Sequence, residues 1–223
     1  MSKVILITGA SSGIGKAIGD LLCNKNFKVY GTSRDPSKYI DSNFQLLSLN
    51  VNNSDSIDKC IDEIIKIEGN LDVLINNAGV GITGPLEEIP EIEIENNFKT
   101  NFFGPLNIIK KVLPIMRSKK SGLIINITSL AAYVGTPYRS VYSASKAALD
   151  LVSETLNMET KPFNIKVVTV APGEFSTNIA SRRYHASSEK SSPYYFNYSK
   201  ALRLMNNHVD AGADPKLIGK LIF

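Results

Sequence analysis

The chain has 223 residues, of which 43% are hydrophobic and 21% are charged, a composition typical of an ordinary globular protein with one large or two small domains. Its formal net charge is +4 and its basic residues form no long run, which argues against nucleic-acid binding. No segment approaches the roughly 18 to 20 apolar residues of a membrane span, and the N-terminus does not resemble a secretory signal. We therefore expect a cytoplasmic protein with no nucleic-acid or membrane partner.

The cysteines and histidines give no sign of a metal site. Cys23 and Cys60 lie in helical patterns without metal-ligand spacing, and we expect both to be reduced core residues. His185 and His208 have no partner motif and are assigned to the surface. The sequence therefore predicts no bound metal.

Strand-like and helix-like segments alternate along the chain, which predicts an α/β fold with a parallel sheet and helices on both faces. The predicted strands lie near 3–8, 27–33, 44–49, 71–76, 122–128 and 164–170. The predicted helices lie near 13–25, 54–68, 91–117, 137–161 and 214–222. Thr136 and Pro137 are the predicted N-cap and first residue of the fourth helix, and Pro162 ends it. No domain linker interrupts this alternation.

A glycine-rich turn follows the first predicted strand. The apolar run Val4 to Ile7 leads into Gly9, Gly13 and Gly15, and a helical pattern starts there. Glycines at a strand-to-helix turn let backbone N–H groups approach a pyrophosphate at the helix N-terminus. The spacing Gly-x-x-x-Gly-x-Gly departs from the dinucleotide fingerprint Gly-x-Gly-x-x-Gly, so the turn by itself is weak evidence for a nucleotide site.

A tyrosine and a lysine four residues apart lie in the fourth predicted helix. This spacing puts Tyr142 and Lys146 on one helix face, one turn apart. A nearby ammonium favours the phenolate, so we expect the pKa of Tyr142 to fall from about 10 towards neutral. The phenol would then act as a general acid/base near physiological pH. Such pairs are also common on amphipathic helices that have no catalytic role.

Taken together, these motifs resemble those of the short-chain dehydrogenase/reductase family, in its simple single-domain form. The matching segments, in chain order, are Thr8-Gly9-x-x-x-Gly13-x-Gly15, Asn76-Asn77-Ala78-Gly79, Asn101, Ser129, Tyr142-x-x-x-Lys146 and Pro172-Gly173. The resemblance implies one Rossmann-like nucleotide-binding domain over 1–223, with strand order 3-2-1-4-5-6. It also implies an NAD(P)-dependent oxidoreductase that transfers a hydride between nicotinamide and a carbonyl or alcohol substrate.

The resemblance implies four catalytic residues. Tyr142 would be the acid/base, Lys146 would depress its pKa and hold the nicotinamide ribose, and Ser129 would bind the substrate oxygen. Asn101 would position a water that relays protons through Lys146. The residues alone favour a simpler interpretation of Asn101, as a helix residue bonded to backbone.

The cofactor site is expected along the same edge of the sheet. The second predicted strand ends in Ser33 and Arg34 where an NAD site usually has a carboxylate, and a guanidinium suits a 2′-phosphate. We therefore predict NADP(H) over NAD(H), although Asp35 would weaken the preference and Arg34 is alternatively a solvated turn residue. The resemblance extends the cofactor site to Gly9, Ser11, Ser12, Gly13, Ile14, Gly15, Asn50, Val51, Asn77, Ala78, Gly79, Tyr142, Lys146, Pro172, Gly173 and Thr177.

The polar region 176–210 follows the sixth predicted strand, so it is expected over the carboxyl ends of the sheet, where ligands bind in such folds. We interpret it as a substrate lid, the alternative being a surface loop of no consequence. Together with 81–86 and 130–138 it would face a substrate. These segments are mostly apolar with several tyrosines and no clustered carboxylate or arginine fork, which favours a neutral, hydrophobic ketone, aldehyde or alcohol.

The chain stops at Phe223, where family members of this type usually continue to a seventh strand. We expect that strand to be missing, which leaves lid order and one subunit interface in doubt. Helices 91–117 and 137–161, which pair across a two-fold axis in the family, predict a homodimer. The competing hypotheses are a catalytically inactive dinucleotide-binding sensor or scaffold and, less favoured, an epimerase or dehydratase.

Overall fold

The structure is a computed structural model that describes residues 2–39, 41–177, 182–187 and 189–223, without the side chains of 209 and 210. Its main sheet has six parallel strands in the order β3-β2-β1-β4-β6-β7. These strands are β1 (Val4–Ile7), β2 (Lys28–Ser33), β3 (Gln45–Ser48), β4 (Val73–Asn76), β6 (Gly122–Ile127) and β7 (Ile165–Val170). Each predicted strand is present, and the order matches the prediction once the two-residue strand β5 (Ile82–Thr83) is left out of the numbering. The Rossmann-like α/β class is confirmed.

Helices cover both faces of the sheet. Their bounds are α1 (Gly13–Asn24), α2 (Ser54–Glu68), α3 (Glu91–Phe98), α4 (Gly104–Lys119), α5 (Ser140–Thr160), α6 (Tyr195–Asp210) and α7 (Lys216–Ile222). The clearest boundaries have local causes. Helix α2 is capped at its N-terminus by Asn53, whose side chain accepts a hydrogen bond from the Ser56 N–H, and at its C-terminus by Gly69 in the left-handed conformation. Asparagine and glycine are favoured at these two positions.

The sheet is buried on both faces because successive strand residues alternate sides. Leu6 pairs with Leu74, and Leu74 with Ile124, and this row belongs to the core formed with α2 and α4. On the opposite face, a core with α1 contains Ile7 and Ile75. These side chains are at most 5% exposed, and full burial of one such side chain contributes about 1.5 to 3 kcal/mol. The rigid sheet fixes where its carboxyl ends lie.

The helix predicted over 91–117 is interrupted. Between α3 and α4, Lys99–Phe103 form one π-helical turn. Pro105 has no N–H to donate to the carbonyl of Asn101, four residues earlier, so the regular α-helical ladder cannot continue there. The sequence pattern predicted one continuous helix over this range and did not predict the π-helical turn, which contains Asn101.

The start of the helix that carries Tyr142 was predicted too early. Helix α5 begins at Ser140 with Arg139 as its N-cap residue. The Thr136 carbonyl accepts a hydrogen bond from the Arg139 N–H, so Thr136 and Pro137 form a turn in front of the helix. Tyr138 has a φ of 65°, a left-handed conformation that is unfavourable for a tyrosine and separates the turn from the helix.

The predicted lid region contains regular structure that the sequence pattern did not predict. Strand β8 (Tyr184–His185) pairs with β5 in a separate two-stranded sheet, and α6 follows it. Tyr198 on α6 is 1% exposed, and its hydroxyl donates to the Thr83 carbonyl at 3.0 Å. Residues 178–181 and 188 of the predicted lid lie outside the described residues.

Other predictions concern single side chains. Cys60 is buried and Cys23 is half-buried, and both are free thiols. His185 and His208 are exposed, as predicted. Within the described ranges, no helix combines the length and apolar composition that crossing a bilayer requires. Across the same residues, no three His, Cys, Asp or Glu side chains form a group that suits a metal ion.

Candidate active site

A cavity of about 900 Å³ runs along the carboxyl ends of the main-sheet strands. Its volume is that of a site for a small molecule or cofactor. Apart from Gly15 and Asn101, all the predicted site residues line it: Gly9, Ser11, Ser12, Gly13, Ile14, Ser33, Arg34, Asn50, Val51, Asn77, Ala78, Gly79, Ser129, Tyr142, Lys146, Pro172, Gly173 and Thr177. The fold thus brings together residues that are up to 168 positions apart, from Gly9 to Thr177.

The glycine turn between β1 and α1 has the backbone that an anion site requires. Gly9 and Gly13 have φ values of 66° and 55°, which favour glycine. The first N–H groups of a helix have no partner within the helix, and here the N-cap residue Ser12 makes no capping hydrogen bond with its side chain. The first turn of α1 contains no acidic residue. These features fit the pyrophosphate of a dinucleotide.

Asn77 fixes the glycine turn to the neighbouring strand β4. Its side-chain amide donates to the carbonyls of Thr8 and Gly9, at 2.9 and 3.1 Å. In return, the Thr8 hydroxyl accepts from the backbone N–H groups of Asn77 and Ala78. Thr8 and Asn77 therefore hold the turn in place from both sides, a role that the sequence alone did not give to Thr8.

Gly15 lies behind the cavity, where α1 approaches the turn. A Cβ atom at this position would be 2.4 Å from Nδ2 of Asn77 and 2.7 Å from the Gly9 carbonyl oxygen. We expect Gly15→Ala to destabilise the protein by about 1 to 3 kcal/mol, because overpacking forces the turn and Asn77 to move. Chemical denaturation monitored by circular dichroism measures this loss.

Gly135 provides the matched control for that substitution. A Cβ atom at Gly135 would meet nothing within 4 Å, so Gly135→Ala should change the free energy of unfolding by less than about 0.5 kcal/mol. Equal effects of the two substitutions would contradict the packing assigned to Gly15.

One end of the cavity lies at the end of β2. Exposed Arg34 lines this end together with Ser33 and Asn50. The Asp35 carboxylate accepts a hydrogen bond from Ser37 at 2.6 Å and pairs with Lys38 at 3.1 Å, and these contacts lower its pKa. Asp35, which we expected to weaken the preference for a 2′-phosphate, is thus bound to its own turn and does not line the cavity.

Ser129, Tyr142 and Lys146 meet at the other end of the cavity. Ser129 lies two residues after the end of β6, with an extended backbone, and its hydroxyl accepts from the Ala131 N–H at 3.2 Å. Tyr142 and Lys146 are 6% and 5% exposed on successive turns of α5. Lys146 donates from Nζ to the Ile127 carbonyl at 2.9 Å. A hydroxyl, a phenol and an ammonium therefore converge at the carboxyl end of β6.

The expected shift of the Tyr142 pKa is wrong for the protein without a bound nucleotide. Burial raises the pKa of this phenol, while Arg139 and a hydrogen bond with Ser129 lower it by less. Burial also lowers the pKa of Lys146 to about 8. The sequence-based argument counted the opposite charge but not the loss of water around both groups, which disfavours each charged form.

Asn101 is fully buried in the π-turn, beside the cavity and not in its wall. Its Oδ1 accepts from the Val80 N–H and its Nδ2 donates to the Val80 carbonyl, both at 2.9 Å. The backbone-bonded interpretation therefore holds in this structure. A Cβ atom on Gly79 would lie 3.1 Å from Asn101 Oδ1 and 3.4 Å from Lys146 Nζ, so Asn101 also lies near the ammonium.

Two further residues that sequence reasoning missed hold Asn101. Asn97 accepts from Asn101 Nδ2 at 3.2 Å and donates to the Val80 carbonyl. Ser145 accepts from the same amide and donates to the Tyr142 carbonyl at 2.9 Å. Asn97 is four residues before Asn101, which is the spacing of neighbours on one helix face, and this is the sequence signal for that contact. Ser145 is 44 residues from Asn101 in the chain, so its contact could not be predicted from spacing.

Besides Arg34 and Lys146, further charged side chains line the cavity. They are Arg139, Glu174, Arg182 and Arg183. Arg182 lies against the glycine turn, with its guanidinium 3.5 Å from the Ser12 hydroxyl. Arg139 is three residues before Tyr142, and this spacing was the one sequence signal that could have placed Arg139 in the site.

The segment after β7 closes the cavity over the glycine turn. The Pro172 carbonyl accepts from the Leu130 N–H at 3.0 Å, which joins this segment to the loop after Ser129. A Cβ atom on Gly13 would lie 3.3 Å from the methyl group of Thr177. Thr177 is thus near the start of α1.

A glycine turn at a helix N-terminus, joined by one cavity to a Ser–Tyr–Lys group, defines the class of nucleotide-dependent oxidoreductases of CH–OH and C=O groups. The chain belongs to the short-chain dehydrogenase family, whose model, described as short chain dehydrogenase, matches residues 3–188. The family binds a nicotinamide cofactor.

Comparisons with individual proteins agree. The chain is 42% identical over 221 residues to 3-ketodihydrosphingosine reductase of Bacteroides thetaiotaomicron, covering 99% of this chain and 82% of that protein. A short-chain dehydrogenase from Streptomyces avermitilis has a TM-score of 0.87 and 34% identity, over 100% of this chain and 82% of the other. ElxO with NADP bound has a TM-score of 0.81 and 25% identity, over 100% of this chain and 90% of the other.

Proposed function

We propose that the protein is an NADP(H)-dependent carbonyl reductase or alcohol dehydrogenase in which Tyr142 is the general acid/base. One observation carries the proposal: Tyr142, Lys146 and Ser129 converge at one end of a cavity whose other end is lined by Arg34. The nicotinamide supplies or accepts the hydride when it is bound. The protein's own side chains transfer the proton and bind the substrate oxygen.

Tyr142 is the group that gives and takes the proton. In reduction, its hydroxyl donates a proton to the substrate oxygen while Ser129 donates a hydrogen bond to the same oxygen. In oxidation, the phenolate takes the proton of the substrate hydroxyl. Burial keeps the phenol neutral in the protein without nucleotide, and a positive charge beside it would favour the phenolate.

Lys146 serves Tyr142 and the cofactor in this proposal. Its Nζ atom donates to the Ile127 carbonyl at 2.9 Å, so the ammonium has a fixed position with two N–H bonds left for a ribose hydroxyl or water. Asn101 lies near Lys146 on the side of Gly79, and it would hold a water that returns a proton to the buried pair.

Three observations favour NADP(H). Arg34 lines the nucleotide end of the cavity, and its guanidinium suits a phosphate. The Asp35 carboxylate pairs with Ser37 and Lys38 instead. Among the described residues that line the cavity, the one carboxylate is that of Glu174, beside Arg139 near Tyr142. No described acidic side chain therefore lies ready to bind both ribose hydroxyls of NAD.

The substrate we propose is a ketone, or the matching alcohol, on a long apolar chain. The relative with 42% identity is named for 3-ketodihydrosphingosine, a long-chain ketone. Leu130 and Val134 line the mouth of the cavity and are 57% and 64% exposed. An apolar surface of this kind at a cavity mouth suits an apolar chain that leaves the site.

The cofactor preference is tested by titration with NADPH and NADH, monitored by the fluorescence of the reduced nicotinamide. The chain contains no tryptophan, so the protein background is small. We expect tighter binding of NADPH, and we expect Arg34→Asp to weaken NADPH binding by about ten-fold or more, since a charge-assisted bond is replaced by repulsion. Lys190→Asp, an equal charge change at an exposed position outside the cavity, is the control.

Turnover is then tested with 3-ketodihydrosphingosine, a long-chain methyl ketone and a short polar ketone at saturating NADPH. Faster turnover of the two long-chain compounds is expected. Tight NADPH binding without turnover of any compound would contradict this substrate class and favour the sensor hypothesis. An unchanged ratio of NADPH to NADH affinity in Arg34→Asp would remove Arg34 from the cofactor site.

The proposal also includes a homodimer and a cytoplasmic location. Phe103, Leu151 and Met158 are 50%, 65% and 63% exposed on the π-turn and on α5, the segments predicted to form the dimer. Covering these side chains would stabilise a homodimer. The free thiols of Cys23 and Cys60 suit a reducing compartment such as the cytoplasm.

A further inference from the structure

Arg139 lies against the ring of Tyr142. Its guanidinium carbon is 5.0 Å from the ring centroid, within the range in which a cation interacts with an aromatic face. On its other side, the guanidinium is 3.5 Å from the Glu174 carboxylate. The Arg139 side chain is 23% exposed and that of Glu174 is 43% exposed, so water screens the pair only in part.

The backbone fixes Arg139 in this position. Tyr138, the preceding residue, has the left-handed φ of 65°, and its carbonyl accepts from the Gly84 N–H at 2.9 Å. The Tyr138 ring packs against the ring of buried Tyr198, with the two ring centroids 5.2 Å apart. A strained backbone conformation of this kind persists only where the surrounding structure enforces it. Here it fixes the backbone immediately before Arg139.

We propose that Arg139 is a positioning residue that acts through Tyr142, as a second cation beside Lys146 that stabilises the phenolate, with Glu174 as the counter-charge that limits its effect. The inference rests on the proposed function, because it concerns the acid/base of that reaction. Lys146 is one turn further along α5 and its Nζ atom donates to the Ile127 carbonyl, whereas the Arg139 guanidinium lies over the ring of Tyr142.

The charged and titratable groups around Tyr142 agree with this arrangement. Arg139 lowers the pKa of the phenol, whereas Glu174 raises it. The other groups that face this region from the surrounding elements are Ser129, Tyr138, Lys146, Arg183, Tyr184, Tyr194 and Tyr198. Arg183 also interacts with Arg139 and Glu174. Arg139 is therefore the cation that contacts the Tyr142 ring.

The pH dependence of oxidation tests the proposal, with dihydrosphingosine as the probe alcohol at saturating NADP⁺. The oxidation rate rises as Tyr142 becomes a phenolate, so the midpoint of kcat against pH follows its ionisation. We expect Arg139→Gln to move this midpoint up by about half a unit to one and a half units. Arg139→Lys should restore part of the shift. Glu174→Gln should move the midpoint down by a smaller amount.

A substrate-free measurement accompanies the kinetics. This measurement follows the ¹³C resonance of the Tyr142 ring carbon that bears the hydroxyl, which is assigned by its absence in Tyr142→Phe. In the NADP⁺ complex, the pH midpoint of this resonance should change in each variant in the same direction as the kinetic midpoint. Arg117→Gln is the matched control, because Arg117 lies over the ring of Phe163 at 5.9 Å and does not line the cavity. Its midpoint should equal that of the unmodified protein.

The outcomes separate the inference from the proposed function. An unchanged midpoint in Arg139→Gln, or shifts of Arg139→Gln and Glu174→Gln in the same direction, would overturn the role of Arg139 while leaving Tyr142 as the acid/base. Substantial turnover by Tyr142→Phe would instead overturn the proposed function. Shifts of opposite sign, together with an inactive Tyr142→Phe, would support both.

Discussion

Replacement of Tyr142 by phenylalanine should reduce turnover by about 10²- to 10⁴-fold, the usual contribution of a general acid/base. The phenol is buried at the end of the cavity where Ser129 and Lys146 also lie, and the substitution removes only its hydroxyl. NADPH binding should stay within about two-fold, because the ring still fills the same space. Steady-state kinetics and the fluorescence titration measure the two quantities.

Tyr133 provides the control for this substitution. Its hydroxyl donates to Asp150 at 2.8 Å, it is 60% exposed, and it does not line the cavity. Tyr133→Phe should therefore retain nearly full activity. If Tyr142→Phe kept more than a few per cent of the activity, another group would have to supply the proton.

Replacement of Lys146 by methionine should have two opposite effects. Activity should fall by about 10²- to 10⁴-fold, because the proposed reaction loses the ammonium that serves Tyr142 and the cofactor. The protein without nucleotide should become more stable by about 1 to 3 kcal/mol, because a buried charge is replaced by an apolar side chain of similar length. Thermal and urea denaturation measure the gain, and Lys166→Met, at an exposed site on β7, should give almost none.

The stability gain in Lys146→Met should depend on pH in a defined direction. Burial lowers the pKa of Lys146 from 10.5 to about 8, so the folded protein disfavours the ammonium. Below pH 8 the lysine is charged in both the folded and the unfolded states, and the full cost of burial applies. As the pH rises from 8 to 10.5 the folded state loses its proton first, so the gap between the two proteins should close. A gap that widened with pH would contradict this assignment.

The amino-acid sequence by itself determined the architecture and most of the residues that line the candidate site. The alternation of apolar strands and amphipathic helices was enough to predict six parallel strands and helices on both faces, because burial on both faces leaves a pattern in the residues. The glycine spacing, the end of β2 and the Tyr142–Lys146 pair are local signals, since each depends on residues close together in the chain. Parallel strands then bring these local signals to one edge of the sheet.

Only the tertiary structure decided how the site residues act on one another. Burial raises the pKa of Tyr142 and lowers that of Lys146, and no pattern in the sequence measures how much water surrounds a side chain. The contacts of Arg139 with Glu174 and of Asn101 with Val80 join residues that are distant in the chain. Helix α6 was also not predicted from the sequence. Its buried face includes Tyr198, whose hydroxyl donates to the carbonyl of Thr83 on β5, and this contact depends on the tertiary structure. A buried polar group such as this hydroxyl is favourable only when its hydrogen-bond partner is present.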